Sequence, residues 1–318
     1  MATTLTAQYP VSVEPEPVLC PEVRNRVGVG HALIDDCSFD QACESIVEHA
    51  RRGGRPAFVT TANAQHIVLL ETDKRLREIY DRADLIVADG HSLLLAARIS
   101  GHPLRERVTG VDTFQSLCAL AADHGLHVFL LGGRPNAANL AAEALKKRSP
   151  SLRVTTYCPP FGFEKTREGL AETAQAIRAA KPHMLFVALG APKQEYWIHD
   201  HGLHLSVPIL MGVGGTFEMV AGIVGRAPLW MQRIGLEWLY RLCVEPRRMW
   251  RRYLIGNLVF AGIVAKQCAR RRLVEKLLRW ARDGRFAAEL REPEITADIR
   301  RFASGVVSDR RPIDDPAN

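Results

Sequence analysis

The alternation of short apolar runs with helical patterns, plainest between residues 57 and 112, decides what this chain can fold into. A β-prone run, Ala57-Phe58-Val59-Thr60, breaks at once into the polar sequence Thr61-Ala62-Asn63-Ala64-Gln65-His66. Ile67, Leu69 and Leu70, then Leu76, Ile79 and Tyr80, follow at helical spacing, and a second run, Leu85-Ile86-Val87-Ala88, stops at Asp89-Gly90. Short apolar runs that end in Gly or a polar residue and pass into helix are the grammar of a parallel α/β sheet. Ligands of such sheets bind at the carboxyl ends of the strands. Two strand ends therefore bring Thr61, Asn63 and Asp89 to one rim. Asp89 has two readings: an acid placed for chemistry, or a helix N-cap within a common Asp-Gly turn. Its company elsewhere in the chain decides between them.

That company repeats the grammar. A run over 127–131 leads into Gly132-Gly133-Arg134-Pro135 and a helix, where backbone N–H groups and a helix N-terminus suit a phosphate as well as a bare tight turn. A run over 153–157 precedes Cys158-Pro159-Pro160-Phe161-Gly162. A fully apolar run over 184–189 ends at Gly190-Ala191-Pro192-Lys193-Gln194-Glu195, which puts Lys193 and Gln194 on the rim of Asp89. The run over 207–213 ends in Gly214-Gly215-Thr216-Phe217-Glu218. The predicted class is α/β: a Rossmann-like, doubly wound, mostly parallel sheet with a nucleotide-type ligand along its carboxyl edge. No G-x-G-x-x-G is present, so the specific dinucleotide fingerprint is missing.

At 318 residues, with 47% hydrophobic and 24% charged residues, the chain has ample material for a soluble core. The net charge of +7 is unevenly spread: residues 226–282 hold 14 Lys/Arg against 3 Asp/Glu, a local charge of +11 that leaves the remainder at −4. The 7 cysteines show no C-x-x-C spacing and read as small hydrophobes of a reducing compartment. Residues 1–25 carry no secretory pattern and are expected to form a flexible lead; 26–226 form the α/β unit; 227–282 form a basic, aromatic helical appendage; and 283–318 form a mobile tail.

In the appendage Trp230, Ile234, Trp238 and Leu242 recur at helical spacing with Arg233 and Arg241 between them, and Arg247, Arg248, Trp250, Arg251, Arg252 and Tyr253 follow. Trp and Tyr interleaved with Arg around the short apolar run 254–264 suit a segment lying in a membrane interface. A solvated basic face over core tryptophans and a nucleic-acid surface are the competing readings. No nucleic-acid module accompanies the pattern, and the expectation is no nucleic-acid partner. No run is long enough to span a bilayer.

The ordered set of motifs resembles the WecG/TagA/CpsF glycosyltransferases, glycosyltransferase family 26. It comprises Thr61-Ala-Asn63, Ala83-Asp-Leu-Ile-Val-Ala-Asp89-Gly90, Leu131-Gly-Gly-Arg-Pro135, Leu189-Gly-Ala-Pro-Lys-Gln-Glu195, Gly212-Val-Gly-Gly-Thr-Phe217, Arg226-Ala-Pro-Leu-Trp-Met-Gln-Arg233 and Glu237-Trp-Leu-Tyr-Arg241. The resemblance implies transfer of a sugar from a UDP-sugar to a polyprenyl-diphosphate-linked saccharide, inverting and metal-independent, at the cytoplasmic face of the inner membrane. It places the general base at Asp89 and active-site positions at Thr61, Asn63 and Gln194. Glu218 and Thr216 depart from the family pattern at positions that bear on the donor sugar. Independently, sugar transfer needs a base for the acceptor hydroxyl and cations or N–H groups for the departing diphosphate. No Asp-x-Asp is present to hold a metal, so the diphosphate falls to Arg134, Lys193 and the glycine-rich turns Gly132, Gly133, Gly214 and Gly215, with Glu218 beside them, and the acceptor diphosphate to Arg233, Arg241 and Arg248. A nicotinamide-dependent oxidoreductase is the rival reading on a shared fold. An anionic membrane surface is the expected docking partner; oligomeric state, a homo-oligomer included, stays open.

Overall fold

Fully buried strands that are apolar on both faces require helices above and below, and the chain supplies them. The structure, a computed structural model, describes residues 19–20 and 25–282; most of the expected N-terminal lead and the tail from 283 lie outside the described residues. In chain order a hairpin comes first, β1 (Arg26–Val29) and β2 (Ala32–Asp35), then α1 (Phe39–Arg52) and β3 (Ala57–Ala62). Next are α2 (Ala64–Thr72), α3 (Lys74–Asp81), β4 (Leu85–Ala88), α4 (His91–Ile99) and α5 (Gly110–Asp123). The second half runs β5 (His127–Gly132), α6 (Ala137–Arg148), β6 (Arg153–Tyr157), α7 (Arg167–Ala180), β7 (Met184–Ala188), α8 (Lys193–Asp200), β8 (Ile209–Gly212) and α9 (Thr216–Val220). The basic segment forms α10 (Leu229–Arg233), α11 (Glu237–Val244), α12 (Pro246–Trp250), a π-helical turn at Arg251–Ile255 and α13 (Gly256–Arg282).

Strands β3 to β8 form one parallel sheet in the order β4-β3-β8-β7-β5-β6. Every residue of β3, β4, β7 and β8 is buried, whereas β6, at one edge, is half-exposed. One face packs on α1, α5, α6 and α9, where Phe114 meets Phe186 edge-on at 4.8 Å and Phe217 at 5.6 Å. The other face packs on the hairpin, α2, α3, α4, α7, α8 and α13. The hairpin also blunts the open edge: Asp35, paired to Arg26 at 2.7 Å, accepts the N–H of Ile86 on edge strand β4 at 2.8 Å. Covering an edge N–H in this way removes a template for pairing with another chain.

The long helix α13 lies against this body. Phe260 and Val264 are buried in the second face, and Gln267 is riveted to the hairpin, accepting from Gly30 N at 3.0 Å and donating to Gly28 O at 2.8 Å. The basic segment thus walls the carboxyl rim of the sheet.

Candidate active site

Strands β3, β4, β7 and β8 all end at one cavity of about 1410 Å³, closed on the far side by α4 and the basic segment. Thr61, Asn63, Asp89, Gln194, Gly214 and Gly215 line it together with Arg107, Arg226, Glu237 and Arg241. Leu95, Ile99, Ile234, Trp238, Tyr253 and Phe260 add an apolar lining. A drug-sized ligand fills roughly 300–1,000 Å³, so this space exceeds the need of one small molecule.

Asp89 does not cap the helix that follows it. The N-cap of α4 is Gly90, which has no side chain to offer. Asp89 Oδ1 instead accepts the N–H of Gly110, the first residue of α5, at 3.2 Å. A Cβ at Gly110 would stand 3.1 Å from Thr61 Oγ1, so a side chain there would crowd Thr61. Burial pushes the Asp89 carboxyl up to about 6; the Gly110 N–H opposes the rise, Glu237 adds to it, and the charge of Arg107 opposes it. A carboxylate near 6 is largely ionised at neutral pH yet more basic than an ordinary Asp, the condition a general base needs.

The first turn of α5 is itself held. Thr109 caps it and donates to Asp112 at 2.5 Å, and Arg226 grips both Asp112 oxygens, at 2.5 and 2.7 Å. Burial alone would raise Asp112, but the hydrogen bonds from Arg226 and Thr109 outweigh it and hold the group below its ordinary range. Glu237 stands between two guanidinium groups, 3.6 Å from Arg107 Nη1 and 3.7 Å from Arg226 Nε.

Beneath the rim, fully buried Glu195 accepts from Gln194 Nε2 at 2.8 Å, and Gln194 Oε1 accepts the N–H of Gly214 at 2.9 Å. Asn63 caps α2, its Oδ1 accepting from Gln65 and His66 N–H groups at 3.0 and 3.4 Å, and so serves as a cap while facing the cavity.

The remaining expected site residues lie elsewhere. Gly132 and Gly133 do not line the cavity; the Gly133 N–H is bonded to Ala188 O at 2.9 Å, tying β5 to β7. Arg134 is taken by Glu245 at 2.9 Å, and its backbone N–H by buried Glu218 at 3.1 Å. Lys193 pairs with Glu164 at 3.6 Å over the Phe161 ring. Arg233 is exposed on α10 away from the cavity lining. Arg248 lies in α12, with its side chain outside the described residues. Arg107, Arg226 and Glu237 were not among the expected site residues; the signal available was that Arg226 and Glu237 open two of the ordered motifs. Among the described residues no group of three or more His, Cys, Asp or Glu is placed to hold a metal ion.

Comparison with known proteins fits this arrangement. The family model described as "Glycosyl transferase WecG/TagA/CpsF family" matches residues 27–274. The chain belongs to that family. It is a glycosyltransferase, and the oxidoreductase reading is set aside. A protein of Bacillus spizizenii named N-acetylglucosaminyldiphosphoundecaprenol N-acetyl-beta-D-mannosaminyltransferase is 34% identical over 198 residues, 62% of this chain and 75% of the relative. Proteins of the same name from Bacillus subtilis (30% identical; 62% and 75% covered) and Staphylococcus aureus (30% identical; 73% and 90% covered) are also similar.

Proposed function

We propose that this glycosyltransferase moves an N-acetylhexosamine-type sugar from a UDP-linked donor to a hydroxyl of a polyprenyl-diphosphate-linked saccharide, with Asp89 as general base. The observation that carries the reading is the placement of the Asp89 carboxyl, bonded to the Gly110 N–H and pushed up to about 6 by burial, in a cavity that Arg107, Arg226 and Arg241 also line. The acceptor hydroxyl gives its proton to Asp89 as its oxygen bonds to the anomeric carbon. The bond from that carbon to the donor diphosphate breaks on the opposite side, with inversion, and its electron pair leaves on the phosphate oxygen. Arg107, Arg226 and Arg241 border the same space and oppose that developing charge. Thr61, Asn63 and Gln194 orient sugar hydroxyls, and the apolar lining takes the first part of the lipid.

The names of the relatives support the acceptor class and favour an N-acetylhexosamine donor. The chemistry assigned to these residues calls for no metal, and the protein works at the cytoplasmic face of the membrane that holds its acceptor. Incubation with N-acetylglucosaminyl-diphosphoundecaprenol and a panel of UDP-hexoses and UDP-N-acetylhexosamines tests this. Transfer from a UDP-N-acetylhexosamine, undiminished by a chelator, is expected. Transfer only from a nucleoside-monophosphate sugar, or strict dependence on added Mg²⁺ or Mn²⁺, overturns the donor or the metal-free chemistry respectively.

A further inference from the structure

The position of Glu237 is odd for an anion-binding cavity. Arg107 and Arg226 both reach the cavity wall, where a diphosphate is the natural counter-ion, yet a carboxylate of the chain itself stands between them. Both contacts, at 3.6 and 3.7 Å, fall within ion-pair range but beyond hydrogen-bond length. Asp112 takes both Nη groups of Arg226, and the buried Nε, which faces Glu237, is left without a hydrogen-bond partner. A phosphate oxygen at hydrogen-bond distance would satisfy that Nε while pairing with Arg107.

The element that carries Glu237 is held by polar and aromatic contacts rather than by burial: Glu245 at its end pairs with Arg134, and Trp238 meets Tyr253. No residue of α11 is buried, and Trp238, Leu239 and Val244 on it are exposed. Elements with little buried contact open at small free-energy cost. In the turn before the helix Gly235 has φ +77°, and a Cβ there would stand 3.0 Å from His91. A shift of α11 about that turn moves Glu237, Trp238 and Arg241 together.

We propose that Glu237 occupies the phosphate position between Arg107 and Arg226, so that an entering diphosphate must displace it and thereby moves α11. Glu237 keeps Arg107 paired, and occupancy by a diphosphate is coupled to the wall that closes the cavity. The inference rests on the reading of this cavity as a diphosphate site and adds a built-in competitor to it.

Inorganic pyrophosphate is the probe, with binding measured by calorimetry on the full chain. Glu237→Gln keeps the side-chain shape and removes the charge. It should tighten pyrophosphate binding by about tenfold, the scale expected for one like charge removed beside the ligand in a partly screened site. The gain should vanish when Arg107→Ala is added. Unchanged or weaker binding in a folded Glu237→Gln protein, or a gain that survives Arg107→Ala, overturns the proposal. A second measurement avoids altering Glu237: pyrophosphate should change the tryptophan fluorescence of the wild-type chain, and the change should be lost in Trp238→Phe. Calorimetric binding with no such change also overturns it. Tightening without sugar transfer would remove the proposed reaction and leave this anion site standing. Transfer without tightening would do the reverse.

Discussion

In the proposed mechanism Asp89 serves two opposed demands: desolvation favours its neutral form, while chemistry as a base needs the ion. Its side chain sits deep enough for burial to dominate over the Gly110 N–H that favours the charge. Turnover should therefore fall as pH drops through about 6 and level off above it, and a pH–kcat/KM profile measures this. Asp89→Asn should lower kcat by about 10²-fold or more while leaving UDP affinity nearly intact; near-normal turnover would remove Asp89 from the mechanism. Stability should move the other way. The folded chain binds this proton more tightly than the unfolded one, so stability declines as pH rises from 3.8 towards about 6 and stays lower above that. Asp89→Asn should thus melt higher than wild type at pH 7, by at most about 3 kcal/mol, and equal it near pH 3. The sequence placed Thr61, Asn63, Asp89, Gln194, Gly214 and Gly215, which do share the cavity, because strand ends fix where such residues lie, and Arg241 joins them from α11. Arg134 and Lys193 could not be placed that way. Their side chains are claimed by Glu245 and Glu164, and ion pairs between residues so far apart leave no local pattern.

At the scale of elements, the proposed base is bonded to the first turn of α5, and that turn is gripped by Arg226, more than a hundred residues later in the chain. Arg226→Ala removes a bidentate grip on Asp112 and should cost about 1–2 kcal/mol. It should also lower kcat more than it raises KM for the donor, since Gly110 loses its register against Asp89. Arg226→Lys should recover the charge but not the fork, and little of the rate. Melting curves beside steady-state kinetics measure both; a loss confined to KM would mean that Arg226 binds donor without supporting the base. Gly132 has a different task from the phosphate approach expected of it. At φ +87° its missing Cβ leaves room for Ala188 O at 3.1 Å and Leu189 Cδ2 at 2.9 Å, so Gly132→Ala should lower the melting temperature rather than act selectively on UDP binding. Strands were the most legible elements, because burial on both faces writes an unbroken apolar run. The helical pattern from Ile67 to Tyr80 is in fact two helices, parted at Asp73, whose side chain caps the second. The unbroken length of α13 was hidden because its pattern starts at Gly256-Asn257 and turns strongly basic from Lys266.

For the molecule as a whole, the uneven charge and the proposed lipid-linked acceptor belong to one problem, since on that proposal the substrate stays in a bilayer and the enzyme must come to it. Among the described residues no helix is long and apolar enough to cross a membrane. The basic segment instead presents apolar side chains outward beside its charges: Leu254, Ile255 and Leu258 are exposed near the start of α13, and Leu229 and Trp230 on α10. Lys266, Arg270 and Arg272 lie exposed further along α13. Each Lys or Arg that reaches an anionic leaflet contributes about 1 kcal/mol, and the exposed apolar residues add shallow insertion. Deleting the segment would not isolate this effect, because Phe260, Val264 and Gln267 hold α13 to the core and Trp238 and Tyr253 wall the cavity. Point changes on the outer face are the cleaner probe. The wild-type chain should sediment with vesicles containing phosphatidylglycerol, and less so as salt rises, since charges are screened within about 8 Å at physiological ionic strength. Leu258→Glu should release it and slow transfer to a full-length polyprenyl acceptor, with UDP binding unchanged and transfer to a short, water-soluble acceptor retained. Equal sedimentation of Leu258→Glu and wild type would move the membrane contact to another surface.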